Sequence, residues 1–410
     1  MRKYIEKITE IAIRTSGYVG SLAILLIVTY LFRESIGIFN QTEIEKGYVL
    51  AVNPENPVDR LSSFDIKEIF DRKITNWNEV NGENSEIGEN SEIKLFHIND
   101  IEKYFSDEEL GEDYSNLPNC LSKLMLEHPQ MLAFIPVDYL GEDFKGKILK
   151  DQKIQISNLF TGVEWYPTAI PAHQFGLLPL FLGTLWVSVG AILLAFPLGL
   201  MVAIYLSEFA STKFRSICKP AVELLAGIPS VVYGFFGLVI LVPFVRSMFN
   251  LPVGETALSG SLILAIMVLP TIISIAEDSL QSVPKSMREA SLALGASEVQ
   301  TIFRVLIPYA KSGIITAGVL GIGRAMGETM AVLMVTGNAA VIPHTFLEPV
   351  RTIPATIAAE LGETAMGSAH FQVLFLLGAS LFIITFLFNL FVDWISSRSK
   401  KIKKVKSASV

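Results

Sequence analysis

The order of apolar and polar positions divides the 410-residue chain into long hydrophobic runs set between charged segments. About 20 consecutive apolar residues cross the bilayer hydrocarbon as a helix. Six runs reach that length: Tyr18–Phe39, Phe175–Leu206, Ala221–Val245, Leu258–Ala276, Gly313–Val335 and Phe371–Val392. The pattern therefore predicts a polytopic membrane protein, all-α within the bilayer. The second run is longer than one crossing needs, so it tilts or opens with an interfacial helix, with Pro179 and Pro197 as break points. Arg33 and Glu34 sit near the outer end of the first run, where charged side chains reach the interface. Before that run lies a long stretch with Arg2, Lys3, Lys7 and Arg14, and no small-x-small pattern follows it. It reads as a span and not as a cleaved signal peptide.

Residues 40–160 follow a different pattern. Tyr48–Pro54 (YVLAVNP) predicts a strand ending in a turn, and Ile93–Ile98 and Met131–Val137 predict buried strands. Ser62–Lys73 predicts an amphipathic helix with Ile66, Ile69 and Phe70 on one face and Ser62 or Ser63 as its cap. These elements make a small α/β insert between the first and second spans. Within it GENSEI occurs at 82–87 and again at 88–93, too polar to pack and so a surface loop. Gly141, Gly146 and Lys147 match a phosphate-loop pattern. Ile148 stands where a magnesium-holding Ser or Thr belongs, and the context is not strand–loop–helix, so the match is chance.

Charge separates the same two parts. Residues 40–160 hold 24 Asp+Glu against 12 Lys+Arg, while the remainder holds 16 against 21. Lys and Arg also set orientation. With the N-terminus inside, the cytoplasmic segments carry Lys213, Arg215, Lys219, Lys285, Arg288, Arg304, Lys311 and the basic tail beginning at Arg398. The two short outer loops carry Arg246 and Arg351 alone. Both termini are then cytoplasmic and residues 40–174 extracytoplasmic, which parts Cys120 from Cys218 and leaves no disulfide framework. His173, His344 and His370 lack ligand spacing, so no metal site is expected. Nothing in the charge balance suggests nucleic acid.

The segment between the fourth and fifth spans, VPKSMREASLALGASEVQTIFRVLIPYAKSGI, predicts a helix–turn–helix. Pro284 suits a first turn, Gly295 a left-handed stop, Ser297 with Gln300 a capping box, and Pro308 begins the fifth span. The stretch resembles the EAA loop of ABC-importer permeases: Glu289, Ala290, Gly295 and Pro308 match, and Ser291 replaces the third-position Ala. In that family the loop docks in a groove of the ATPase subunit. The residues alone also fit an amphipathic linker.

Further segments narrow the resemblance. Leu159–Pro167, Gly183–Phe209, Gly227–Phe244 and above all Gly321–Asn338 (GIGRAMGETMAVLMVTGN) resemble phosphate-importer permeases of the PstC type, over about residues 159–395 and the first span. The resemblance implies a type I ABC importer permease fold and transport of inorganic phosphate. It implies a second permease subunit of the PstA type, two copies of an ATPase that holds ATP and Mg, and an extracytoplasmic phosphate-binding protein. The chain itself is then a transport subunit and not an enzyme, with no cofactor of its own. Leu61–Gly82 and Met131–Leu140 resemble parts of the phosphate-binding protein. His97–Leu110 stands where that protein has its phosphate loop, is acidic and lacks glycine, so the insert reads as a degenerate half of that fold.

The organisation expected is residues 1–39 with the first span, the insert at 40–160, a permease core at 161–395 with its coupling loop at 279–311, and a basic tail at 396–410. Arg324 lies mid-way along the fifth run and Glu328 follows at i+4, one turn on and on the same face. An ionised Arg at mid-bilayer costs about 2.5–3.5 kcal/mol on insertion scales. Such a residue faces a bundle interior or a polar path, where it offers bidentate donors to an oxyanion. Glu328 then orients Arg324 or accepts the proton of hydrogen phosphate, a proton sulfate lacks. A pair that only pins two helices fits the same residues. Gly227, Pro229, Ser230 and Tyr233 match the resemblance and equally suit helix packing. The alternatives are a permease for molybdate or sulfate, or a membrane-anchored phosphate sensor. The short tail after residue 395 leaves the sensor no output domain.

Overall fold

The computed structural model describes residues 2–80, 92–151 and 153–407, so almost all of the GENSEI repeat lies outside the described residues. The chain forms two compact units. One comprises Arg33–Gly176 with Ala365–Val373, the other Met1–Phe32, Leu177–Thr364 and Leu374–Val410. The division falls inside the first helix, α1 (Arg2–Gly37), and inside the last, α16 (Ala369–Ser407).

The smaller unit is built on a sheet of β1 (Tyr48–Val52), β2 (Lys94–His97), β3 (Met131–Pro136) and β4 (Lys147–Ile148), in the order β2-β3-β1-β4. β1 and β3 run antiparallel with Leu50 opposite Phe134, and β2 runs parallel to β3 with Phe96 opposite Ala133. The alternation of strand side chains serves two faces. Leu50, Val52, Leu132 and Phe134 pack with Ile66 and Ile69 of α2 (Ser63–Phe70), while Ala51, Ala133 and Ile135 pack with α4 (Leu117–Glu127). Two covered faces explain why MLAFI is apolar throughout. A short α3 (Asp107–Leu110) precedes α4, and α5 (Ile156–Thr161) follows the sheet. The unit runs past residue 160 because β5 (Trp165–Tyr166) pairs with β6 (Gln174–Phe175) and Ala172 bridges to Ile44. Lys147 of the chance phosphate-loop match is bound to Asp59 at 2.5 Å and to the Asn56 carbonyl at 2.9 Å.

Ser62 caps α2 through a capping box with Asp65. The buried carboxylate of Glu43 occupies the same helix start. It accepts the Ser63 N–H at 2.8 Å and the Asn158 amide at 3.4 Å. A negative group is favoured there by the helix dipole, while burial raises the Glu43 pKa above its usual value.

The larger unit contains the helices of membrane-crossing length. Six stretches qualify among the described residues: Thr9–Asn40, Leu178–Phe209, Ser230–Phe249, Ala257–Gln281, Glu298–Gly327 and Ala369–Val392. Its centre is α10 (Ala257–Gln281), the most enclosed of them, which packs against α6 (Leu178–Ile204) and α13 (Ile307–Gly327). Both neighbours approach closely at one residue. A Cβ on Gly199 of α6 would lie 2.7 Å from Ile272, and one on Gly321 of α13 would lie 3.1 Å from it. Small residues at such crossings let backbones meet.

Two spans differ from expectation. The third does not begin at Ala221: α7 (Thr212–Ala226) is a separate helix with no buried residue, and the chain breaks at Gly227–Pro229. Proline at 229 lacks the N–H that would continue the helix. The crossing then runs through α8 (Ser230–Phe236), a π turn and α9 (Val242–Phe249). Glu223 accordingly lies on α7, exposed, and not at the end of a crossing. The fifth span is not continuous to Val335. α13 ends at Gly327, Glu328 is extended (φ −71°, ψ 133°), and α14 (Met330–Val335) packs separately against α8. Gly323 and Gly327 weaken the helix where a different packing partner takes over.

Candidate functional site

The interruption in the fifth span holds Glu328 and directly follows the turn of α13 that carries Arg324. Arg324 lies in the last turn of α13, half-buried, where a cation also meets the negative end of the helix dipole. Its Nη1 donates to Thr271 Oγ1 at 2.9 Å, across to α10. Thr271 stands near the middle of α10, immediately after Pro270, so the guanidinium is held at mid-span depth.

Glu328 is not one helical turn along the same face. The break turns it out of the helix, its N–H meets the Ala325 carbonyl at 3.4 Å, and no ion pair joins it to Arg324 among the described residues. The i+4 spacing places the two on one face only in a continuous helix, and α13 ends at Gly327. Non-helical backbone at membrane depth persists only where protein or a polar cavity surrounds it. Tyr233 of α8 is buried within the electrostatic reach of Arg324, and its hydroxyl donates to the Leu225 carbonyl at 2.8 Å, closing the end of α7. Ser230 is the first residue of α8 and half-buried. The sequence reading missed Thr271. Its one signal was a hydroxyl beside an in-span proline.

A second cluster forms around the loop between the fourth and fifth spans. α11 (Lys285–Ala293) and α12 (Glu298–Thr301) make the expected hairpin. Gly295 takes φ +83°, where a side chain would be strained. Ser297 Oγ accepts the Gln300 N–H at 3.2 Å, and Gln300 Oε1 accepts the Ser297 N–H at 3.1 Å. Glu289 and Ala290 are exposed, and Leu294 at the turn is 90% exposed. Ser291, the departure from the EAA pattern, shares a 2.9 Å hydrogen bond with Thr301 and so ties the two helices together. Pro308 is the second residue of α13, after a π turn over Ile302–Leu306.

The hairpin is anchored by Arg288, whose Nη2 meets Glu208 Oε1 at 2.7 Å beside a cavity of about 180 Å³ lined by Phe209, Leu292 and Glu298. Nearby on α10, buried Glu277 receives Arg215 of α7 at 2.8 Å and Gln281 at 2.8 Å, with Lys219 at 3.6 Å. Buried charge persists when it is paired in this way. Sequence reasoning found the hairpin and missed both anchors, because each acid lies far along the chain from its partner. The smaller unit holds a cavity of about 250 Å³ lined by Glu43, Ser63, Asn158 and His173.

Residues 195–401 match the family described as "Binding-protein-dependent transport system inner membrane component". The chain is 42% identical over 240 residues to the probable ABC transporter permease protein YqgH of Bacillus subtilis, covering 58% of this chain and 77% of that protein. It is 41% identical over 249 residues to the phosphate transport system permease protein PstC of Mesorhizobium japonicum, covering 56% and 75%. Among solved structures, a chain of the MetNI methionine ABC transporter in an inward-facing conformation aligns at 21% identity and a TM-score of 0.43, over 54% of this chain and 97% of that one. The matched family covers α10, the hairpin and both halves of the broken span, and the chain is a multi-pass membrane protein belonging to the binding-protein-dependent transport system inner membrane component family.

Proposed function

We propose that this chain is the membrane-spanning subunit of an ATP-driven importer that carries inorganic phosphate into the cytoplasm. The observation that carries the reading is Arg324, a fixed cation at mid-span depth beside a break in its own helix. An oxyanion crossing the bilayer needs such a charge with hydrogen-bond donors. The phosphate-transport names of several relatives support phosphate as the substrate. In this reading Arg324 and Glu328 contact the anion in transit, with Ser230 and Tyr233 along the path. Glu328 accepts the proton of hydrogen phosphate and so disfavours sulfate.

The chain itself is a transport subunit and not an enzyme. The exposed hairpin, with Glu289, Ala290 and Gly295 at its turn and Pro308 at its root, docks in a separate ATPase that binds ATP and Mg. A second permease subunit of the PstA type completes the pore over two ATPase copies, and an extracytoplasmic binding protein delivers phosphate. Both termini lie in the cytoplasm of a cell whose inner membrane holds the complex, and residues 40–174 lie outside. The positions of Lys and Arg along the sequence support that orientation. The insert at 40–160 meets the binding protein at the pore mouth.

Reconstitution in vesicles with the partner subunits tests the proposal. ATP-dependent accumulation of radiolabelled phosphate is expected. Accumulation of molybdate or sulfate in place of phosphate would overturn the substrate, and no accumulation of any oxyanion would overturn the importer.

A further inference from the structure

We propose that Thr271 is a direct ligand of the transported oxyanion, forming with Arg324 a single pair of donors. The inference rests on the reading of Arg324 as part of the phosphate pathway. A threonine hydroxyl carries one proton and two acceptor lone pairs. Thr271 Oγ1 accepts from Arg324 Nη1 at 2.9 Å, so its proton is directed away from the guanidinium.

Within a helix, such a proton ordinarily goes to the carbonyl four residues back. Thr184 donates to Leu180, Ser261 to Ala257, Ser279 to Ile275 and Thr316 to Ser312 in this way. Thr271 makes no such bond to Met267 among the described residues, and its only hydrogen bond there is the one from Arg324. Its donor is therefore available to a ligand.

Accepting from a cation strengthens the hydroxyl as a donor, because the charge polarises the O–H bond. The remaining guanidinium N–H groups and the hydroxyl proton then add donors beside a fixed positive charge. That chemistry suits a tetrahedral oxyanion and repels a cation. The placement is rigid, since the next residue, Ile272, is fully buried where α6 and α13 close on α10. Thr271 itself is half-buried and so reachable.

Thr271→Val keeps the shape and removes the hydroxyl, and Thr271→Ser keeps the hydroxyl. Each variant is assembled with its partner subunits in vesicles. Phosphate uptake and ATP hydrolysis are measured on the same samples, and assembly is checked by size exclusion. The expected result is a fall of about tenfold in maximal uptake for Thr271→Val, the worth of a hydrogen bond to a charged ligand. More ATP is hydrolysed per phosphate moved, and Thr271→Ser stays within about twofold of the native rate. Native uptake by Thr271→Val would overturn the proposal. So would Thr271→Ser performing no better than Thr271→Val, because the role would then belong to the methyl group. Arg324→Gln separates the two levels. If that variant transports normally, the pathway reading fails. If it stops transport while Thr271→Val does not, only the inference about Thr271 fails.

Discussion

Arg324 is a costly residue where it stands, at about 2.5–3.5 kcal/mol on insertion scales for a charge at mid-bilayer. Thr271 satisfies one of its five N–H donors and the end of α13 supplies a favourable dipole. Arg324→Gln keeps a donor for Thr271 and removes the charge. Uptake is expected to fall by about a hundredfold or more, as for loss of a charge-stabilising donor, while the complex still assembles. Uptake assays with size exclusion on the same preparation check this. Lost assembly with a normal rate per assembled complex would make Arg324 a structural pin.

At the scale of elements, the hairpin depends on two backbone positions. Gly295 needs φ near +83°, which proline cannot adopt, and Ser297 with Gln300 restarts the chain as α12. Gly295→Pro and Glu289→Lys are each expected to cut ATP-driven uptake about tenfold or more, with the spans still folded. Circular dichroism and uptake together test this; full coupling in both variants would sink the docking role. The hairpin was legible because helix stops and caps are local rules written within a few residues. The strands and α2 of the smaller unit were legible for the same reason, through short apolar runs and a capping serine. The broken fifth span was not. Its apolar run continues through Glu328, and the break reflects α14 packing on α8, a tertiary choice. The partners of Glu208, Glu277 and Arg324 were hidden for the same reason: Arg288, Arg215 and Thr271 lie 80, 62 and 53 residues away.

At the scale of the molecule, the acidic smaller unit has its own response to pH. Burial is the main cause of the raised pKa of Glu43, opposed by its bond from Ser63. The folded value lies above the unfolded one, so the contribution to stability is complete below the unfolded pKa and is lost as pH rises through the folded one. Glu43→Gln keeps an acceptor for the Ser63 N–H and removes the charge. It is expected to raise the protection of β1 and β3 amides in hydrogen exchange at pH 7 relative to the native chain, with the gain vanishing near pH 4. Burial lowers the pKa of His173, and that effect cancels in the comparison because both chains carry it. Equal protection at both pH values would refute the assignment.

The meeting of Gly199, Ile272 and Gly321 has a mechanical consequence for the whole bundle. Close-packed interiors yield by switching between discrete arrangements and not by gradual deformation. With no slack on either side of Ile272, α6, α10 and α13 travel as one rigid body, and Arg324 and Thr271 travel with them. Any cycle of opening and closing must then bend elsewhere. The helices break next to this block at two joints, Gly227–Pro229 and Glu328–Thr329. The Arg324–Thr271 pair proposed to hold the anion would then keep a constant geometry while α8 and α14, which lie beyond the two breaks, move.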